Sequence, residues 1–234
     1  MPDGARRLLA GVLATMSLRG NTRRPVTPCE IGDDGRARCP WGASTAEYRA
    51  YHDEEWGRPV GDDQRVFEKL CLEGFQAGLS WLTILRKRGG LRRAFAAFDA
   101  RKVSCFDNAD IERLLGDSAI VRHRAKIVAT INNARAVIAL ADEGVSIAAL
   151  LWRYEPARKV PRRTMGDVPA STAESAALSL ELRRRGFSFV GPITVYSAMQ
   201  ALGVVNDHLS ACHWHQLADS DRALFQVPCA LEAR

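Results

Sequence analysis

The chain is predicted to be all-α. Apolar residues recur at helical spacing in separate stretches, with Val66, Phe67, Leu70 and Cys71 forming one and Ile127, Ile131, Ala134, Ile138 and Ala141 another. Leu178 with Leu182, and Val195 with Met199 and Leu202, continue the pattern. These stretches open on Ser, Thr, Asp or Asn, and several close on basic residues followed by glycine, the punctuation that helices prefer. No alternating apolar and polar run of useful length calls for a strand.

At 234 residues the chain can hold one sizeable core, or one domain with a tail. No apolar run reaches the roughly 20 residues that cross a bilayer, so no membrane partner is expected; the chain is further expected to be a cytoplasmic monomer. A formal net charge of +6 favours an acidic partner, nucleic acid first. Six scattered cysteines make no disulfide framework in a chain this long and read as reduced thiols or metal ligands.

Residues 1–38 are rich in Arg, Gly, Pro and Asp without a sustained apolar period and read as a disordered extension. The apolar segment at 8–18 lacks the cleavage site of a signal peptide. Residues 39–216 form the domain and 217–234 a C-terminal tail. Thr45 can cap a short helix with Tyr48, Tyr51 and His52 on one face, and Asp62 or Asp63 opens the next.

That second helix leads into residues 72–81, where Glu73 lies among apolar residues and Gly74 and Gly78 stand four apart. The pattern predicts a helix ending at Glu73 and another capped by Ser80 and carrying Trp81, so that acid and indole face one another across a short turn. A pocket for a flat, polar-edged ring would be built this way. Taken alone, the same residues fit a plain buried helix pair better.

The helix from Trp81 is expected to stop where Arg86, Lys87 and Arg88 precede Gly89 and Gly90. Phe95 and Phe98 continue the core, Asp99 caps a short helix, and residues 111–115 make another that Gly116 closes. From Asp117 to Ile127 a tight basic connection runs into the long helix. Helices joined in this way can aim free N–H groups at a phosphate, and an ordinary solvated turn fits equally. Residues 146–152 form a further helix and 154–169 an ordered basic loop. Ser171 and Glu174 form a capping box, Gly191 and Pro192 start a helix, and Asn206 caps the last one.

Cys39 and His52 are separated by twelve residues, and His208 and Cys212 by three, on one face of the helix that Asn206 opens. Together they offer the two thiolates and two imidazoles of a closed, structural zinc site that clips the start of the domain to its end. His213 and His215 are rival ligands on spacing alone.

Several runs now combine: Cys39-Pro40-Trp41-Gly42, Tyr51-His52-Asp53-Glu54-Glu55-Trp56-Gly57, residues 71–81, Ile120-Val121-Arg122-His123-Arg124, Arg184-Arg185-Gly186-Phe187 and Val205-Asn206-Asp207-His208. In this order they resemble the motifs of the 3-methyladenine DNA glycosylase I family of base-excision repair enzymes. The resemblance implies a helix-hairpin-helix fold with one structural Zn2+ on Cys39, His52, His208 and Cys212, in agreement with the spacing. It implies a base pocket of Glu73, Trp41, Tyr48, Tyr51, Trp81 and Ser197, with Glu73 the candidate catalytic residue, acting either by selecting the cationic base or by catalysis. The implied reaction is hydrolysis of the N-glycosidic bond of N3-methyladenine in alkylated double-stranded DNA after base flipping, with free 3-methyladenine as product. Gly78 and Leu79, between the two pocket residues, offer a close backbone approach and an apolar wedge, while Arg122, Arg124 and Lys126 are expected on DNA phosphates. Ala119 and Ala125 stand where many members carry glycine. Two other functions fit the same motifs: a zinc-containing DNA-binding module that no longer excises, and a glycosylase for other alkylated purines. Glu73, Trp81 and both tyrosines favour the enzyme, because a pure binder needs no pocket.

Overall fold

The computed structural model describes residues 28–157 and 160–229, and the all-α class holds. Residues 1–27, with the apolar segment at 8–18, lie outside the described residues. Part of the stretch read as a disordered extension is a small hairpin, β1 (Glu30–Ile31) paired antiparallel with β2 (Ala37–Arg38). Arg38 orders it: its guanidinium is 2% exposed and reaches Asp34 at 2.6 Å and Asp53 at 2.7 Å. A buried cation paired twice over ties the hairpin to the domain.

Helices α1 (Pro40–Ala43) and α2 (Ala46–Glu54) follow, and Thr45 caps α2 by accepting from the Tyr48 N–H. Asp62 caps α3 (Asp63–Gln76), which does not stop at Glu73 as expected. It runs on through Gly74, which packs against Phe189, and breaks only at the second glycine. There Ala77 at φ −47°, ψ 115° and Gly78 at φ +81° make a type II turn, closed by the Leu79 N–H donating to Gln76 O at 2.6 Å. Gly78 occupies the position of that turn that disfavours a side chain.

Ser80 caps α4 (Trp81–Ala94), which passes through Gly89 and Gly90 instead of stopping there. A Cβ on Gly90 would lie 2.5 Å from the Ala119 carbonyl oxygen, so this glycine serves close packing and not termination. A 3-10 turn (Ala96–Phe98) and α5 (Ala100–Ser104), capped by Asp99, lead to α6 (Asn108–Gly116) and α7 (Arg124–Asp142). Ser146 caps α8 (Ile147–Trp152), and Asp63 at the head of α3 accepts from Ser146 Oγ at 2.6 Å and from Ala148 N at 2.9 Å.

The capping box of α9 (Ala173–Arg184) is Thr172 with Ser175, one residue later than expected, and α10 (Pro192–Ala201) starts at Pro192. Asn206 caps no helix. Its Oδ1 accepts from the His208 N–H two residues on, at 3.2 Å, a turn that competes with helix initiation. The last helix, α11 (His213–Leu224), therefore begins after Cys212 and runs into the stretch read as a tail.

Central α3 packs against α4, α7, α8 and α10, and the core between them gathers Phe67, Phe75, Ile84, Leu91, Phe95, Phe98, Ile127, Leu150 and Met199. Among the described residues no helix is long and apolar enough to cross a membrane.

Candidate active site

Cys39, His52, His208 and Cys212 come together although they lie on α2, at helix starts and in an irregular turn. All four are buried, and one ligand atom from each lies within 4.8 Å of the others. Cys212 Sγ is 3.6 Å from His52 Nε2 and 3.6 Å from His208 Nδ1, and Cys39 Sγ is 4.0 Å from His208 Nδ1. A tetrahedral zinc with ordinary bond lengths sets sulfur and nitrogen about 3.5 Å apart.

The other nitrogen of each ring is committed elsewhere. His52 Nδ1 faces Asp53 Oδ1 at 2.8 Å and His208 Nε2 faces the Trp56 carbonyl at 3.1 Å, so each ring donates outward and turns a lone pair on the cluster. The Leu209 N–H points at Cys39 Sγ at 3.3 Å. Cys212 is held far below the usual thiol range by Cys39, with the two imidazoles adding to the effect. The donor set fits a metal ion. His215 is turned away, with its Nδ1 2.8 Å from the His208 carbonyl, and His213 is exposed, so neither rival joins. His208 and Cys212 do face one centre, through the turn after Asn206 and not through a helix face.

Beside this cluster opens a cleft of about 380 Å³ that brings Trp41, Tyr48, Tyr51, Glu73, Trp81 and Ser197 into one lining. Trp41 meets Tyr48 edge-on at 5.8 Å, and Tyr51 meets Trp81 at 5.3 Å. The phenols are anchored from behind. Tyr48 Oη accepts from the Leu82 N–H at 3.0 Å, satisfying an orphan donor of the first turn of α4. Tyr51 Oη accepts from Lys69 Nζ at 2.8 Å. Ser197 Oγ donates back to Ile193 O at 3.2 Å.

Glu73 is 5% exposed, and among the described residues no hydrogen bond reaches its carboxylate. Burial pushes its acid up to about 7, against a smaller opposing pull from Lys69.

Sequence reasoning missed other lining residues: Trp56, Gln76, Tyr196, Gln200 and Asp207. Ile193, Ser197 and Gln200 fall four and three apart on α10, a stripe that spacing could have revealed. Asp207 is held by Arg162 Nε at 2.9 Å, Tyr196 Oη at 2.6 Å and Gln200 Nε2 at 2.8 Å, partners that spacing could not name.

The tight connection between α6 and α7 leaves Arg122 and Arg124 exposed, the latter paired with Glu112 at 2.5 Å. Lys126 departs from expectation. It is buried, and its Nζ donates to Phe75 O at 2.8 Å and Ala77 O at 2.6 Å. Carbonyls at the end of α3 lack helical partners and carry the negative end of its dipole, which draws the ammonium inward, away from any phosphate. Gly78 and the 41% exposed Leu79 stand at the tip of the turn between Glu73 and Trp81.

Fold and site together define an all-helical class in which a Cys2His2 cluster joins the two ends of the domain beside an aromatic slot floored by one buried acid. The family model described as methyladenine glycosylase matches residues 41–216, and the chain belongs to that family. DNA-3-methyladenine glycosylase 1 of Escherichia coli (strain K12) is 45% identical over 177 residues, covering 75% of this chain and 95% of that protein. The DNA-3-methyladenine glycosylase of Haemophilus influenzae (strain Rd) is 42% identical over 177 residues, 75% of this chain and 96% of its own. A crystal structure of 3-methyladenine DNA glycosylase I superposes with a TM-score of 0.73 at 44% identity, covering 75% of this chain and 98% of that one. The Staphylococcus aureus enzyme, in a structure described as the basis of its 3-methyladenine recognition, gives 0.72 at 35% identity, 75% of this chain and 95% of that one.

Proposed function

We propose that this protein is a DNA-3-methyladenine glycosylase, which takes N3-methyladenine out of alkylated duplex DNA and hydrolyses its N-glycosidic bond. The observation that carries this reading is Glu73, a nearly buried carboxyl without a hydrogen-bond donor at the floor of an aromatic slot. N3-methylation makes the base a cation that leaves as a neutral molecule, so the bond is already weak and little acid catalysis is needed. The enzyme's task is extraction and discrimination.

An acid whose midpoint lies at about 7 is poised for that task. A cationic base entering the slot favours the carboxylate and adds coulombic attraction to a charge-assisted hydrogen bond, whereas a neutral base gains the hydrogen bond alone. Stacking against Trp81, Tyr51 and Trp41 contributes roughly 1–3 kcal/mol per base, with a cation–π gain for the charged lesion. Flipping costs a few kcal/mol, less for a damaged base. Leu79 with Gly78 fills the gap left in the duplex, and exposed Arg122 and Arg124 take phosphates. Cys39, His52, His208 and Cys212 would hold one zinc ion, the metal their two thiols and two imidazoles suit. Four protein ligands leave no site for a reacting water, so its contribution is to folding.

The test is to titrate free 3-methyladenine into wild type and Glu73→Gln, and to measure base release from methylated duplex by both. Loss of the charge-assisted bond should weaken base binding by roughly ten- to a hundredfold. Unchanged affinity with abolished release would make Glu73 a catalyst of water attack, and no release by wild type would leave a zinc-containing binding module.

A further inference from the structure

Lys69 precedes Glu73 by four residues on α3, so the two side chains share a face, and Lys69 is 2% exposed. An ammonium buried so deeply needs compensation, and two of its partners, Tyr51 and Trp81, line the slot. It donates to Tyr51 Oη at 2.8 Å, lies 4.6 Å from the centre of the Tyr51 ring and 4.7 Å from that of Trp81, and is 3.5 Å from Glu55 Oε1. We propose that Lys69 is a positioning residue of the base slot, fixing Tyr51 and supplying the counter-charge to the Glu73 carboxylate. This rests on the role for Glu73 given above.

The other charges at this junction are already matched. Glu55, at the end of α2, pairs with Arg88 of α4 at 2.6 Å, and Glu68 of α3 pairs with Arg88 at 2.7 Å and Arg92 at 2.9 Å. Tyr51 stays a neutral phenol, because burial and then the charges of Glu73 and Glu55 oppose its ionisation. Among the described residues, Lys69 is therefore the cation whose field acts on Glu73, and burial is what it opposes there; burial lowers the Lys69 ammonium in turn, against the pull of Glu73 and then Glu55, so the two charges sustain one another. Without it the carboxyl rises further, becomes a neutral acid at pH 7, and the slot loses its preference for a cation.

Single-turnover base release from methylated duplex, corrected for spontaneous loss, should be followed from about pH 5.5 to 9 in four proteins. Wild type should show an acid limb set by Glu73, and Glu73→Gln should lose it. Lys69→Met should move that limb up by about one unit or more, so that release at pH 7 falls roughly fivefold or more and recovers toward pH 9. Lys69→Arg keeps the charge and should keep the limb. A Lys69→Met loss that is uniform across pH, or no change, would sink the counter-charge role while leaving Glu73 intact. A wild-type limb retained in Glu73→Gln would overturn the Glu73 reading and this proposal together. If release by Lys69→Met is too slow to follow, titration of the Glu73 carboxyl carbon by NMR gives the same midpoint, and one unmoved from wild type again refutes the proposal.

Discussion

The Lys126 ammonium lies 2.6 Å from the Ala77 carbonyl, so the first turn of α7 grips the turn that separates Glu73 from Trp81. Its second acceptor, Phe75 O at 2.8 Å, is in the last turn of α3. Lys126→Met leaves both carbonyls without this donor, and the expected destabilisation is roughly 1–3 kcal/mol in denaturant unfolding. Binding to undamaged duplex should keep its wild-type salt dependence, because this ammonium is buried and committed to two carbonyls. A salt slope that fell with the substitution would return Lys126 to the phosphate-binding set.

Lys126 also shows where sequence reading stops. A lysine two residues after exposed Arg124 reads as part of a basic cluster, and only the end of α3, distant in the chain, explains why it turns inward. The helices themselves were legible because Thr45, Asp62, Ser80, Asp99 and Ser146 cap locally, through N–H groups two or three residues ahead. Helix ends at glycine were not. Gly74 and Gly90 looked like stops, yet each is used for close approach by a segment far along the chain, Phe189 and Ala119 respectively. The four residues of the Cys2His2 cluster were readable from residue type and spacing, while the turn after Asn206 that presents His208 and Cys212 depends on a side-chain bond that competes with helix capping. Lys69 drew no notice, because its partners come from two other helices, α2 and α4.

Arg122 and Arg124 should differ on DNA. Arg124 must give up its 2.5 Å pair with Glu112 to reach a phosphate, whereas no such ion pair holds the exposed Arg122 among the described residues. Each phosphate that a side chain neutralises adds about 0.9 to the steepness of log K against log salt, and removing that side chain takes the increment away. Arg122→Ala should therefore flatten the slope more than Arg124→Ala, on damaged and undamaged duplex alike. Equal flattening, or weakening confined to damaged DNA, would contradict this ranking.

Cys212 is the thiol of the cluster in closest touch with both imidazoles, at 3.6 Å from each. Purified protein should carry one zinc per chain by elemental analysis, and Cys212→Ala should lose it with a large fall in thermal midpoint. Structural zinc contributes on the order of 10 kcal/mol of apparent binding free energy, so chelation of wild type should reproduce that fall. Full metal retention in the variant would place the ligand elsewhere.

Leu79 is 41% exposed at the tip of the turn, an apolar side chain facing solvent. If it occupies the space of the flipped base, Leu79→Ala should slow base release from duplex more than from single strands, where no stack has to be held open. Equal slowing on the two substrates would remove the wedge role.

Adjacent glycines in α4 give opposite expectations from one helix. Replacing glycine by alanine within a helix ordinarily stabilises by about 1 kcal/mol. At Gly89 the nearest neighbour of a new Cβ is Arg93 Nη1 at 3.6 Å, an ordinary approach to a flexible side chain, so Gly89→Ala should gain that amount. At Gly90 the new methyl meets the Ala119 carbonyl oxygen at 2.5 Å and its Cβ at 2.9 Å. Backbone cannot rotate out of the way, so the connection between α6 and α7, which carries Arg122, has to lift off α4. Overpacking of this kind costs about 1–3 kcal/mol, more than the propensity gain. Gly90→Ala should therefore lower the unfolding free energy and also weaken duplex binding through displaced Arg122, while Gly89→Ala raises stability and leaves binding unchanged. Denaturant unfolding of the two variants side by side decides it, since stabilisation at both positions would mean that α4 packs on Ala119 more loosely than the 2.5 Å approach requires.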